Sequence, residues 1–455
     1  MTRWWCEVAW LGGDTVTEQV LITVADDRIT TVESGVDAPT DATRLRGLTL
    51  PGIANGHSHC FHRALRGRTH SGKGTGTFWT WREQMYRAAE AIDPDQYLEL
   101  ATATFAEMAL AGYTAVGEFH YLHHAAKGRH YNDPNEMGRR LVAAAKYAGI
   151  RITLLDTCYL SGGLDRSGSL PLSDVQARFA DADVDAWATR VDALQSRWEN
   201  DAHARIGAAI HSVRAVDPEQ AAVVASYADV LSIPLHAHVS EQPAENDACL
   251  AVHGRTPTGL LESAGALEVS GGFTAVHATH LTEDDIGAYG RTHSTCCFCP
   301  TTERDLADGT GPAVALRQRG ARLSIGSDSN AIIDPFEEAR AVELNERMRS
   351  LRRGNLSVRA LATAATSDGM ASIGWADSGR LAPSFLADFV TVDLDDRSLT
   401  GIGASDALAA VIHAGSARAV HNVVVAGVAI VRDGVHELIP DHARRLGAAI
   451  RTLSS

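Results

Sequence analysis

The arrangement of apolar and polar positions changes character twice along this chain. Residues 4–50 alternate apolar and polar, with turn signals such as Asp26-Asp27, a pattern that predicts short antiparallel strands. From about residue 50 the pattern becomes a short apolar run followed by a longer segment of helical period, again and again. Asp93-Pro94 supplies an N-cap and a proline at the first helical position, so a helix is expected to run to about Ala111, with Gly112 as its stop. Residues 113–119 read as the next strand. Asp133-Pro134 opens a helix ending near Gly149, and 152–155 is a strand. A helical period spans 181–200, a strand at 205–210 ends at His211, and Asp217-Pro218 caps the following helix. Further strands are expected at 233–238, 273–276, 294–299 and 322–327, and Thr282 with Asp285 forms a capping-box pattern. Together with the run at 52–55, these make roughly eight β-α alternations, as a closed parallel barrel requires. After about 375 strands return at 387–392 and 422–431, and 441–453 looks like a terminal helix.

The fold class expected is α/β: a distorted (β/α)8 TIM barrel with a small β module formed from both chain termini. Residues 1–50 and 376–435 are assigned to the module, 51–375 to the catalytic barrel and 436–455 to a C-terminal helix. A length of 455 residues and an apolar fraction of 45 % suit that plan. A net charge of −15 argues against a nucleic-acid surface, and it means that an anionic substrate needs arginines close at hand. The seven cysteines form no disulfide or CxxC framework, and Cys296-Cys297-Phe298-Cys299 reads as a buried strand of small side chains. Met1-Thr2-Arg3-Trp4-Trp5 lacks a signal-peptide pattern and no apolar run is long enough for a bilayer, so a cytoplasmic chain without membrane or nucleic-acid partners is expected. Ser71-Gly72-Lys73-Gly74-Thr75-Gly76 is a glycine-rich loop but not a phosphate-binding one, because the Gly-Lys-Ser/Thr ending is missing. Lysine occurs three times, at 73, 127 and 146, and nowhere later.

Candidate chemistry gathers where these strands end. Residues two apart on an extended backbone point the same way, so His57 and His59 can reach one ion. His238 ends a second strand-like run and Asp328 a third. Three imidazoles and one carboxylate at strand C-termini suit a mononuclear Zn²⁺ site with room for water, one ion per chain, though another divalent metal is compatible. Such an ion lowers the pKa of bound water from about 15.7 toward roughly 7. Glu241, three residues past His238, is close to the ion without binding it and is expected to shuttle the proton to the leaving group, as in zinc deaminases generally. His277, at the end of a further strand, is expected to polarise the attacking water, and Asp328 to accept its proton as well as bind the ion.

Gly56-His57-Ser58-His59, His236-Ala237-His238-Val239-Ser240-Glu241, Val276-His277-Ala278-Thr279-His280 and Gly326-Ser327-Asp328-Ser329 resemble the amidohydrolase superfamily in its mononuclear deaminase branch. The binuclear branch bridges two metals with a carboxylated lysine after strand 4, and no lysine follows residue 146 here. Three finer segments are similar to the formimidoylglutamate deiminases of histidine breakdown. They are Phe78-Trp79-Thr80-Trp81-Arg82-Glu83, the run 111–121 ending in Glu118-Phe119-His120-Tyr121, and His211-Ser212-Val213-Arg214-Ala215-Val216.

That resemblance implies zinc on His57, His59, His238 and Asp328, catalysis by His277 and Glu241, and substrate contacts from Tyr121, His211, Arg214 and Arg82. The implied substrate, N-formimidoyl-L-glutamate, is a dicarboxylate, and Arg214 stands three residues past a barrel strand, where it could grip a carboxylate bidentately. Trp79 and Trp81 read as packing or a lid. Two departures stand out. His62 replaces the glutamine usual in the family, which keeps a donor and an acceptor but brings an expected pH sensitivity between about 5 and 8. The segment 301–309 also differs in its middle. Hydrolytic deimination to N-formyl-L-glutamate and ammonia is therefore the expected activity, in a homodimer. The alternatives are deamination of a purine, triazine or related amidine, or a non-catalytic barrel scaffold.

Overall fold

A computed structural model describes residues 1–69 and 78–453, and for Phe78, Trp79 and Thr80 only the backbone of the helix that they begin. The glycine-rich segment with Lys73 and the side chain of Trp79 lie outside the described residues.

Eight strands pair in parallel and in chain order: Ile53–Ser58, Tyr113–His120, Arg151–Cys158, Ala204–Ile210, Leu235–Val239, Phe273–His277, Thr295–Phe298 and Arg322–Ile325. We number them as barrel strands one to eight. The second, third and sixth are buried at every position, as a sheet with helices on its outer face demands. First and eighth strands are joined by a parallel bridge between Ser58, the last residue of strand one, and Asp328, which lies just past strand eight. There the Asp328 N–H donates to the His57 carbonyl and the His59 N–H to the Asp328 carbonyl, each at 3.0 Å.

The helices between strands start and stop where local chemistry says they should. Asp93 and Gln96 form a reciprocal capping box ahead of Pro94–Ala111, and Gly112 ends that helix at φ 102°, a left-handed turn that glycine adopts without a Cβ penalty. Asp217 caps Pro218–Leu231, and Thr282 with Asp285 completes the second box. One start is displaced. The helix expected at Asp133-Pro134 begins at Glu136, because the Asp133 carboxylate turns the chain by accepting from the Asn135 N–H at 2.9 Å.

A second sheet runs Val435–His436, Val428–Arg432, Val420–Val425, Phe389–Val392, Thr43–Pro51, Thr2–Ala9, Thr17–Ala25 and Arg28–Ser34. Strands from the two chain ends meet at its centre, where Phe389–Val392 pairs antiparallel with Thr43–Pro51. Two details differ from the sequence reading. Thr2–Ala9 pairs in parallel with Thr43–Pro51, because residues 35–42 return the chain before it enters the barrel. The stretch 422–431 is a hairpin turning at Ala426-Gly427. A buried ion pair ties this sheet to the barrel: the Arg151 guanidinium donates to both Asp388 oxygens, at 2.7 and 3.0 Å. The final helix, His442–Thr452, packs on Pro94–Ala111. Among the described residues no helix is long and apolar enough to cross a membrane.

Candidate active site

The strand ends bring four donor atoms together. His238 Nε2 stands 3.2 Å from His57 Nε2 and 3.4 Å from His59 Nε2, and Asp328 Oδ1 is 3.4 and 3.5 Å from the same two nitrogens. Ligands about 2.0–2.1 Å from a tetrahedral ion are spaced by ~3.3–3.4 Å, so these distances fit a divalent cation between them. The chemistry of the donors agrees. His59 Nδ1 lies 2.9 Å from the Phe119 carbonyl and His238 Nδ1 2.9 Å from the His211 carbonyl. A ring nitrogen facing a carbonyl carries the proton, which leaves each Nε2 bare. Burial, then the neighbouring imidazoles, pushes the His57 and His238 pKa values well below the ordinary range and that of His59 to about 3. Two rings with bare Nε2 atoms, the His57 ring and a carboxylate thus face one point.

Left-handed backbone aims these groups. Ser240 has φ 52°, and the turn it makes carries Glu241 back toward the site. His277 (68°), Ala278 (49°) and Asp328 (42°) share that region, which costs non-glycine residues on the order of 1–3 kcal/mol each and clusters at functional sites.

Behind the four donors stand the titratable groups. Glu241 Oε1 is 3.8 Å from His277 Nε2, and Glu303 Oε1 is 3.5 Å from Nδ1 of the same ring. Burial disfavours charge on His277, but Glu303, Glu241 and Asp328 outweigh it and raise its pKa to about 10. Arg214 donates from Nη2 to Glu241 Oε2 at 2.8 Å and from Nε to Ser212 Oγ at 3.3 Å. Its burial opposes the charge, yet Glu245 and Glu241 hold it firmly ionised. The sequence placed Arg214 on substrate alone; the structure also makes it the partner of Glu241. Asp308 bonds Gln242, and burial followed by the Glu241 charge raises it to about 8.

A cleft opens from this point. His59, His62, Arg82, Tyr121, His211, Arg214, His238, Glu241, His277 and Asp328 all line it; His57 lies behind them. His62 Nε2 is 3.0 Å from the Tyr121 hydroxyl, and its ring meets Trp81 edge-on at 5.0 Å. Burial, then His59 and His57, depresses the His62 pKa well below the ordinary range. That direction works against the titration of His62 expected between about 5 and 8. Arg82 holds its guanidinium 5.6 Å from the Tyr86 ring centre. Sequence reasoning missed Tyr86, Tyr159, Phe179 and the hairpin Gly163–Asp165/Gly168–Leu170, whose Leu164 and Leu170 wall the cleft. Two signals were available, since Tyr159 directly follows barrel strand three and Gly162-Gly163 with Gly168 marks turns.

A second buried cluster, His120, His123 and Asp156, has donor atoms equally close together. It is poorly suited to a cation. Arg190 donates to both Asp156 oxygens at 2.7 and 2.9 Å, and His123 Nε2 faces the Thr157 carbonyl at 2.9 Å, so that nitrogen carries a proton.

Comparison with known proteins agrees with this geometry. Residues 48–430 match the model of the amidohydrolase family. A formimidoylglutamate deiminase of Pseudomonas aeruginosa is 38 % identical over 409 residues, 88 % of either chain. An 8-oxoguanine deaminase of the same organism is 28 % identical, over 86 % of this chain and 84 % of that one. Among solved structures, an amidohydrolase from Brucella melitensis superposes with a TM-score of 0.92 at 32 % identity, covering all of both chains. A zinc-bound adenosine deaminase from Xanthomonas campestris, at 23 % identity and a TM-score of 0.82, shares the fold over all of this chain and 97 % of that one. Fold, donor set and sequence converge: the chain belongs to the amidohydrolase family.

Proposed function

We propose that this chain hydrolyses N-formimidoyl-L-glutamate to N-formyl-L-glutamate and ammonia, with one Zn²⁺ held by His57, His59, His238 and Asp328. The observation that carries the substrate is the pairing of Arg82 with Arg214 in the walls of one cleft, on a chain whose net charge is −15. A dicarboxylate needs such guanidinium partners, because the long-range field of the protein repels it. The 38 % identity to a formimidoylglutamate deiminase supports the same reading.

When bound, the ion makes water acidic enough to act as a nucleophile near neutral pH. The protein's own groups do the rest. Water adds to the formimino carbon and gives one proton to Glu241, which passes it to the terminal nitrogen. The hydroxyl proton of the adduct goes to Asp328 and on to the same nitrogen as the carbon–nitrogen bond breaks, so ammonia leaves with both protons of the water and each carboxylate is restored. His277 directs Nε2 toward the charge that develops on the reacting carbon's oxygen. Tyr121, His62 and His211 complete the substrate's contacts, and Arg214 divides its donors between a carboxylate and Glu241. Catalysis is assigned to 51–375, beside a β module of 1–50 and 376–435 and a C-terminal helix in 436–455.

Ammonia release with N-formimidoyl-L-glutamate, measured beside guanine, cytosine and adenosine, tests this. Turnover of the amidine alone supports it. The aromatic walls at Trp81, Tyr86, Tyr159 and Phe179 give a flat ring a place to stack, so turnover of a base instead would move the substrate to that class. A metal-free chain without activity on any of them would leave only a scaffold.

A further inference from the structure

Glu303 has no part in the reaction as written above, yet it is 2 % exposed and 3.5 Å from the imidazole of His277. It lies on the short helix Pro300–Asp305 that follows barrel strand seven. Two hydrogen bonds fix it there. Its Oε1 accepts from the Cys299 N–H at 2.8 Å, and its backbone carbonyl accepts from the Asp308 N–H at 2.9 Å. The ring of His277 lies nearly parallel to that of His238, with centroids 5.6 Å apart and planes inclined by 14°. That stack sets the plane of the imidazole but not which edge faces the reaction. The torsion that turns the ring is two-fold, and a flip exchanges Nδ1 and Nε2 for carbons.

We propose that Glu303 is the positioning residue of His277: its carboxylate stands 3.5 Å from a buried Nδ1 that has no hydrogen-bond partner among the described residues, draws that edge of the ring toward itself and so commits Nε2 to the reacting carbon. This rests on the catalytic part assigned to His277 above. The geometry offers the ring two carboxylates on opposite edges, Glu303 at Nδ1 and Glu241 at Nε2; the first is held by a backbone donor, the Cys299 N–H just ahead of its helix, and the second by the Arg214 side chain. A residue needed only to cap the Pro300–Asp305 helix would serve equally well at the surface. Burial of a carboxylate beside an imidazole is instead the arrangement that fixes tautomer and orientation in carboxylate–histidine pairs.

A double-mutant cycle with His277 separates the two roles. Glu303→Gln retains an oxygen for the Cys299 N–H and removes the charge. It should lower kcat about 10–100-fold with KM changed less than about threefold, and with metal content equal to wild type. Glu303→Asp, which restores the charge one methylene further back, should recover most of that loss. In a His277→Ala background Glu303→Gln should cost almost nothing more, because the partner through which it acts is gone. An equal cost in both backgrounds, or a lowered melting temperature with kcat intact, would overturn the proposal. Should the Gln variant not fold, Glu303→Asn, which also removes the charge, supplies the same cycle with the same expected non-additivity. The assays use whichever amidine or ring wild type hydrolyses, so failure on N-formimidoyl-L-glutamate would remove the substrate reading and leave this test intact.

Discussion

Two clusters of buried histidine and carboxylate lie on opposite sides of barrel strand two. Inside the barrel, around Phe119, are His57, His59, His238 and Asp328; outside it, beyond His120, are His123, Asp156 and Asp181. Their side chains are of the same kinds and their burial is similar. What differs is where the protons and the cation come from. In the outer cluster Arg190 bonds both Asp156 and Asp181, so the positive charge is built into the chain. In the inner cluster carbonyls take the Nδ1 protons of His59 and His238, and the bare Nε2 atoms are left to the proposed ion. Residue type does not separate a metal centre from a structural ion pair; the direction of the lone pairs does.

The largest test removes a donor from each side. His238→Ala should take the metal from about one equivalent toward none and abolish turnover, whereas His123→Ala should leave the metal content unchanged. Elemental analysis of both proteins checks this, and metal loss from the His123 variant would erase the contrast. Next comes Glu241→Gln, which should hold the metal and lose about 10²–10⁴-fold in kcat, the range of a general acid–base group. Arg190→Leu strips the outer cluster of its guanidinium and leaves two buried carboxylates with only histidines beside them. It should cost about 3–5 kcal/mol in denaturant unfolding, with the metal content of the folded fraction preserved. Arg214→Met should raise KM by the equivalent of about 2–4 kcal/mol and lower kcat too, since Glu241 loses its 2.8 Å partner. A change in KM alone would separate Arg214 from Glu241.

The smallest effect near neutral pH concerns His236, on the same strand as His238. Burial lowers its pKa from 6.5 to about 4, against the bond to the Ser372 carbonyl. The unfolded chain takes a proton in that window and the folded chain does not. Its contribution is complete above pH 6.5 and is lost as pH falls through 4, on the order of 3 kcal/mol in all. Melting curves from pH 7 to 4 should fall less steeply for His236→Gln than for wild type; parallel curves would clear His236. His62, also held neutral, should add no step to kcat/KM between pH 5 and 8, so the profile of His62→Gln should match wild type there.

Much of this was readable along the chain because it is local. The barrel strands, the caps at Asp93, Asp217 and Thr282, and the chemical groups at the strand ends depend on neighbours within a few residues. What could not be read depends on residues far apart in sequence. The Arg214–Glu241 pair joins the ends of strands four and five, Glu303 reaches His277 from strand seven, and Arg190 finds Asp156 across 34 residues. Pairing direction in the terminal sheet was hidden for the same reason, since Thr43–Pro51 takes its direction from the barrel it enters. The fall in the His62 pKa is a property of its surroundings, and no spacing announces it.

The bridge between Ser58 and Asp328 has a consequence for how this protein can change over time. Asp328 is both a donor to the proposed ion and the residue whose backbone closes the barrel, bonded to His57 and His59 on the opposite strand. A one-residue slip there would turn its carboxylate outward and break both hydrogen bonds in the same step. Variation that drifts the eighth strand is thus removed twice over, once for chemistry and once for folding. New specificities in such a scaffold have to arise elsewhere on the rim, at positions such as 62, 82 and 214, where a side chain can be exchanged without reopening the seam.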